Sequence, residues 1–497
     1  MMTQKFQADV IIVGAGLAGM VAAHEAIQRG RRVLMIDQEG PQSLGGQAYW
    51  SLGGLFMVDT PEQRRLGIRD SAELALTDWM GSAQFDRAED ANPRAFAERF
   101  IEWSAGDMRG WLRDLGMRWF PIVGWAERGG AMAGGHGNSV PRFHITWGTG
   151  TGVVAPFAKL MQGYAASGKL CLQFRHRVTA LELTSGAVTG VSGDILQDTD
   201  APRGESTTRA ITGSFHHHAD AVILTTGGIG ADHGLVRKHW PVDRLGQPPR
   251  HMVSGVPDYV DGKMHAIAAQ AGAGLINQDR MWHYCEGIKN WNPIWPNHGI
   301  RILPGPSSVW LDAKGDRMEA PCMPGFDTLA TLKRILQTGD HSWFILTQKI
   351  IEKEFALSGS EQNPDLTDGG WREVLAARLG KGATAAVEMF KDKGEDFVVA
   401  DDLTQLVAGM NRLTPDHRLD PEHLRRQIAA RDGQLANPFA KDAQITAIRG
   451  ARAYRGDKLI RTAKPHAILD ARNGPLIAVR LNILTRKSLG GLHTDLQ

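Results

Sequence analysis

The sequence predicts an α/β protein in which a parallel-sheet domain is interrupted by an inserted α+β cap. Three observations predict it. Residues 8–37 read as strand, glycine turn, helix and strand in one unit. A second apolar strand, Ala219–Leu224, runs straight into Thr225-Thr226-Gly227-Gly228. From about residue 231 to 440 the chain turns to Pro-rich loops and long polar amphipathic helices, after which short β runs and paired glycines return. The expected division is a first part at 1–240, a cap at 241–440, and a second part of the first domain at 441–497.

The first unit carries the clearest signal. Val10–Val13 contains no polar residue, as suits a strand buried on both faces of a parallel sheet. Gly14, Gly16 and Gly19 follow in GxGxxG spacing, with Ala15 between the first two, and Leu17–Arg29 is rich in helix formers without proline. Val33–Ile36 then ends in Asp37. Gly14 allows the tight turn, Gly16 lets a pyrophosphate approach the backbone, and Gly19 lets helix and strand pack closely. The helix start offers free N–H groups to phosphate, and Asp37 is placed to accept from a ribose diol. This is a Rossmann-like dinucleotide fingerprint in its required context. The motif does not choose between FAD and NAD.

A second glycine-rich stretch spans Ser43–Gly54, with Gly45-Gly46 and Gly53-Gly54 eight positions apart. Such pairs imply backbone lying against something flat, with Gln47 and Ser51 supplying side-chain hydrogen bonds. Leu44, Ala48, Trp50 and Leu52 argue against a polar linker. Residues 61–120 read as helical, and 125–152 as a glycine-rich loop near the ligand. Residues 170–192 read as short strands with a turn at Ser185-Gly186. The run His216–His218 lies on a strand, where neighbours alternate in direction, so no metal site is expected there or elsewhere. Asp261–Ile276 reads as a helix leading into a strand.

Composition sets the outer bounds. A chain of 497 residues with a net charge of +2 gives no electrostatic case for nucleic acid or an anionic membrane. Cys171, Cys285 and Cys322 are too few and too scattered for a disulfide framework or a CxxC metal pair, which points to a reducing, cytoplasmic setting. No apolar run reaches the ~20 residues of an integral membrane segment.

Together these pieces resemble the FAD-binding dehydrogenases of the fumarate reductase / 3-ketosteroid Δ1-dehydrogenase class. The matching residues are Gly14, Gly16 and Gly19 with Asp37; Gly45-Gly46-Gln47-Ala48 with Ser51, Gly53 and Gly54; Val178; and Thr226-Gly227-Gly228. The DGKMHAIAAQAGA helix, Gly315-x-Arg317, and Gly490-Gly491 with Thr494-Asp495 extend the likeness along the chain. The resemblance implies FAD as cofactor, its pyrophosphate on the first helix, its ribose at Asp37, its flavin beside Gly45–Gly54, and a cap closing substrate over it.

Two features depart from that family. Lys487, preceded by Arg486, stands where fumarate reductases carry a carboxylate-binding histidine, and DRMWHYCEG (279–287) replaces their HPTG-type segment. In the family the chain also continues past Thr-Asp into a strand, a glycine turn on the flavin and a helix. Residues 1–497 alone are therefore expected to hold flavin weakly and turn over poorly.

The implied reaction oxidises a CH–CH pair next to a carbonyl, with hydride passing to flavin N5 and a proton to a side-chain base. Tyr284 is the best-placed candidate base, and a phenol in that role needs a cationic neighbour, for which His283 or Arg301 would serve. Arg142 and His144 are further candidates for substrate or flavin-edge contacts. Lys487 and the aromatic run Trp282, Trp291, Trp295 and Trp310 favour an apolar ketone or enone as the small-molecule partner over fumarate. The electron acceptor or donor is left open. So are three alternatives: a reductase of an unsaturated acid, a nicotinamide-dependent dehydrogenase, and a non-catalytic flavin-binding remnant.

Overall fold

The computed structural model of the chain describes residues 6–125, 129, 135 and 137–496. Its first sheet is parallel, in the order Ala221–Leu224, Val10–Val13, Val33–Ile36, Leu170–Gln173. Alternation along each strand sends residues to opposite faces. Ile12 and Met35 pack with Met20 and Ala23 of helix Leu17–Gln28 and with Phe157 and Met161 of helix Thr149–Ala166. Ile11, Val13, Leu34 and Ile36 pack the other way, against Val178 and Val191 of an antiparallel meander. That meander comprises His176–Thr184, Ala187–Leu196 and Ile211–His218. Its first hairpin turns at Ser185 and Gly186, both with positive φ, at the position the sequence predicts.

The stretch 61–120, expected to be helical, is so in segments Pro61–Arg65, Ala72–Ser82, Ala91–Ala105 and Met108–Asp114, but ends in the strand Trp119–Gly124. The stretch 125–152 is not simply a loop. Part of it lies outside the described residues; of the rest, Phe143–Thr146 pairs with both Gly54–Phe56 and Trp119–Gly124, and Thr149 begins a helix. Thr and aromatic residues there satisfy a strand, which the glycine content masked.

The second large sheet carries the cap. Among the described residues it runs Val309–Leu311, His341–Thr347, Leu476–Ser488, Met281–Lys289, Gly299–Leu303, Ala356–Leu357. Met252–Ser254 and Phe397–Ala400 also pair with Leu476–Ser488. Buried along most of its length, this long strand has its backbone groups paired on both edges. Within the segment 441–497, expected as the second part of the first domain, Leu476–Ser488 pairs with strands of the region expected as the cap. The helix expected at 261–276 spans Lys263–Gln270, and Leu275–Ile276 pairs with Gly491–Leu492 at the cleft.

Candidate active site

Tight backbone contacts build the nucleotide end of the cleft. Gly14 has φ +104°, and a Cβ there would stand 2.6 Å from the Thr225 carbonyl oxygen. The Thr225 hydroxyl donates to the carbonyls of Val13 (3.0 Å) and Gly14 (2.9 Å), joining the two strand ends. A Cβ on Gly19 would meet the Gly14 carbonyl oxygen at 2.1 Å, so helix and turn touch backbone to backbone. A Cβ on Gly16, by contrast, would meet nothing. Gly16 caps the helix without any side-chain hydrogen bond, which leaves first-turn N–H groups facing that open space. An uncapped helix start above an open cradle fits a dinucleotide pyrophosphate.

Asp37 accepts from the backbone N–H of Ala15 at 2.7 Å and of Glu39 at 2.8 Å. Burial raises its carboxyl to about 6, against these two bonds, which favour the charged form. Sequence reasoning missed Glu39, which is buried and bonded by Arg209 (2.6 Å) and the Thr207 hydroxyl (2.9 Å). These contacts fix the turn that carries Asp37. Val178 packs beneath the same strand ends.

The second glycine stretch lies directly on this cradle. Gly16 and Gly45 form an isolated parallel bridge, Gly45 N–H donates to Ala15 O at 2.9 Å, and a Cβ on Gly46 would stand 3.1 Å from Gly16 Cα. Gly53 and Gly54 are held as closely: a Cβ would strike the Thr149 carbonyl carbon at 2.4 Å or the Phe143 ring at 1.7 Å. Gly150, not singled out from sequence, packs against the carbonyl oxygens of Tyr49, Ala48 and Ser51 at 2.3–2.7 Å from an added Cβ. The Ser51 hydroxyl is committed to its own turn, donating to Ala48 O and accepting from Gly53 N–H. Gln47 reaches toward Gly227, while Tyr49 packs under the guanidinium of Arg203 at 3.9 Å. At Thr226-Gly227-Gly228 the chain returns to the cleft, and the Ser488 hydroxyl accepts from Ile229 N–H at 2.9 Å.

Between this floor and the cap lies a cavity of about 1240 Å³, floored by Gly54, Thr226 and Gly227 and roofed by Tyr284, Arg301 and Lys487. It exceeds the ~300–1,000 Å³ of ordinary small-ligand pockets, leaving room for more than one ligand ring system. Tyr284 is buried, with the Arg301 guanidinium 3.8 Å and the Lys487 ammonium 5.7 Å from its ring centre. Burial pushes the phenol up, but Lys487, Arg301 and Arg486 together outweigh it and hold the group below its ordinary value. Strand pairing explains the meeting: Trp282 stands opposite Lys487, and Tyr284 opposite Leu484 across a bulge.

Other expected site residues have different work. His283 precedes Tyr284 on the strand, packs against Trp240 with ring centres 4.9 Å apart, and is lowered by burial to about 4. A neutral imidazole does not supply the cation expected beside Tyr284. Arg142 is wholly buried between Asp70 (2.7 Å) and Asp78 (2.6 Å), and His144 bonds the Thr60 hydroxyl and the Arg142 carbonyl. Both hold the fold rather than face the cleft. Of the four tryptophans, only Trp282 lines the cavity. Trp295 donates to Ser254 O, Trp310 to the Ser342 hydroxyl, and Trp291 packs on the cap core. The apolar wall comes instead from Phe96, Phe100, Phe120 and Phe143.

A Rossmann cradle, a glycine-lined slot and a roofed cavity define a dinucleotide-dependent oxidoreductase. The chain belongs to the FAD binding domain family, whose model matches residues 9–497. FAD is its cofactor, and it is an FAD-dependent dehydrogenase. Two relatives are similar over 98% of the chain. A KsdD-like steroid dehydrogenase of Mycolicibacterium smegmatis is 57% identical, with 89% of its own length covered. One of Mycobacterium tuberculosis is 55% identical, with 86% covered. Among solved structures, 3-ketosteroid delta1-dehydrogenase from Sterolibacterium denitrificans aligns with a TM-score of 0.61 at 15% identity, over 98% of this chain and 89% of that one. No helix among the described residues is long and apolar enough to cross a membrane.

Proposed function

We propose that the protein oxidises a CH–CH pair adjacent to the ring ketone of a steroid-like substrate, with Tyr284 removing the proton next to the carbonyl. The observation that carries this reading is Tyr284 itself: buried in the cavity roof, with Arg301 3.8 Å and Lys487 5.7 Å from its ring centre. Bound FAD supplies the hydride acceptor. The chain supplies the rest. Phe96, Phe100 and Phe143 offer an apolar wall to a ring system. Lys487 and Arg301 favour the deprotonated phenol and place positive charge where an enolate-like oxygen develops. Similarity to proteins named as steroid dehydrogenases supports the substrate class.

A second reading is favoured by the same cations. Arg301, Arg486 and Lys487 converge on Tyr284, and such a group also suits a substrate carboxylate. The test is dye reduction by FAD-loaded protein with a 3-ketosteroid, set against fumarate reduction by a reduced dye. Steroid-dependent dye reduction is expected. Fast fumarate reduction without steroid turnover overturns the proposal in favour of the second reading.

A further inference from the structure

On the outer face of the meander, far along the chain from the cleft residues, three metal-ligating side chains converge. His216 and His218 are two apart on strand Ile211–His218, so alternation sends both to one face. His217 turns the other way, to Gln173 at 2.7 Å. Register then supplies a third group. Glu182 stands opposite Gly190, and Gly190 opposite His218, so an acid and a histidine flank a position with no side chain. A Cβ on Gly190 would lie 2.9 Å from His218 Nδ1. The glycine is what lets Glu182 reach across the middle strand. Its Oε2 bonds His216 Nε2 and lies 4.0 Å from His218 Nδ1. One ligand atom from each of the three residues falls within 4.8 Å of the others.

We propose that Glu182, His216 and His218 form a binding site for a first-row divalent cation of the zinc type. Bonds of about 2.0–2.2 Å to tetrahedral zinc place donors about 3.3 Å apart, so these side chains close on an ion by rotation alone. The metal takes the place of the direct contact between His216 and Glu182. Two imidazoles and one carboxylate suit Zn²⁺, Co²⁺ or Ni²⁺ rather than the oxygen-seeking Mg²⁺ or Ca²⁺. His216 and His218 are about half exposed or more (51% and 63%), which leaves a fourth position for water. None of the three lines the cavity, so the ion takes no part in the flavin chemistry. It ties together the two outer strands of the meander, which do not pair directly.

The test uses the full chain with FAD, stripped by chelator and titrated with zinc chloride by calorimetry, alongside thermal melting. One zinc per chain is expected, bound at least ten-fold more weakly by His216→Ala and by His218→Ala and unchanged in His217→Ala, with zinc raising the melting midpoint only where it binds. Equal midpoints of all variants without zinc establish that each is folded. No zinc binding by the native chain, or binding that survives both substitutions or is lost in His217→Ala, overturns the proposal.

Discussion

The Arg301 guanidinium lies 3.8 Å from the centre of the Tyr284 ring, and the Lys487 ammonium lies 5.7 Å from the same point. Two cations thus flank one tyrosine. One is contributed by the neighbouring strand Gly299–Leu303 on one side, the other by Leu476–Ser488 on the other.

Replacing Tyr284 with Phe removes the proposed proton acceptor and keeps the ring under Arg301. Turnover is expected to fall about 100-fold or more, the usual contribution of a general base. Flavin content should be unchanged. Near-native turnover in the dye assay would remove Tyr284 from the chemistry.

Lys487→Met tests how the phenol is poised. Lys487, Arg301 and Arg486 hold Tyr284 below its ordinary value despite burial, so losing one cation raises it. The active base form then requires higher pH. The acidic limb of the kcat profile should therefore move upward, and a limb that stays in place would assign the titration to another group.

Asp37→Ala should weaken FAD binding ten-fold or more, because a charge-assisted hydrogen bond contributes about 1.5–3 kcal/mol. The native protein should show its own pH effect. With the carboxyl raised to about 6, Asp37 takes up a proton as pH falls through that value and loses part of its acceptor capacity. FAD affinity, followed by fluorescence quenching, should decline below pH 6 in the native chain and not further in the variant. For the flavin-free fold the sign is opposite. A raised carboxyl favours the folded state as pH falls from 6 toward the ordinary carboxylate range.

Arg142→Met leaves Asp70 and Asp78 buried without their shared cation. Removing one partner of a buried ion pair costs about 3–5 kcal/mol, so denaturant melts should show a large loss of stability. Per folded molecule, Tyr284 and the cavity are untouched and turnover should persist. A variant as stable as the native chain would mean that water replaces the arginine.

Gly150→Ala drives a methyl group into three carbonyl oxygens of the flavin loop. Overpacking of this kind typically costs about 1–3 kcal/mol. Flavin per protein after gel filtration should drop along with the melting midpoint. Unchanged flavin content would separate this helix start from the cofactor slot.

The local parts of the fold were legible. Val10–Val13 and Val33–Ile36 occur within the bounds read from sequence, because their strand character and glycine spacing are properties of adjacent residues. Tyr284 was singled out in its motif, and Arg301 as its cation is a meeting that strand pairing produces. Arg142 was misjudged for the same physical reason in reverse: Asp70 and Asp78 lie 72 and 64 positions away, and nothing local marks them as its partners. The tryptophan run reads as one wall, yet Trp291 and Trp310 pack with the cap core and Trp295 packs against Trp50 and His298. At His216–His218 alternation separates neighbours but puts His216 and His218 on one face, and their third group, Glu182, lies 34 positions before His216 where nothing local marks it.

The strand Leu476–Ser488 has a consequence for how the protein is made. Met281–Lys289 and His341–Thr347 are both its partners, and both leave the ribosome long before it does. Until it arrives, each presents an unpaired, largely apolar edge, the kind of surface that sticks to other chains. Closure of the sheet awaits one late, sequence-distant pairing, so folding is expected to be slow and the nascent chain to depend on chaperones. Yield in a cell should therefore track chaperone supply and synthesis rate.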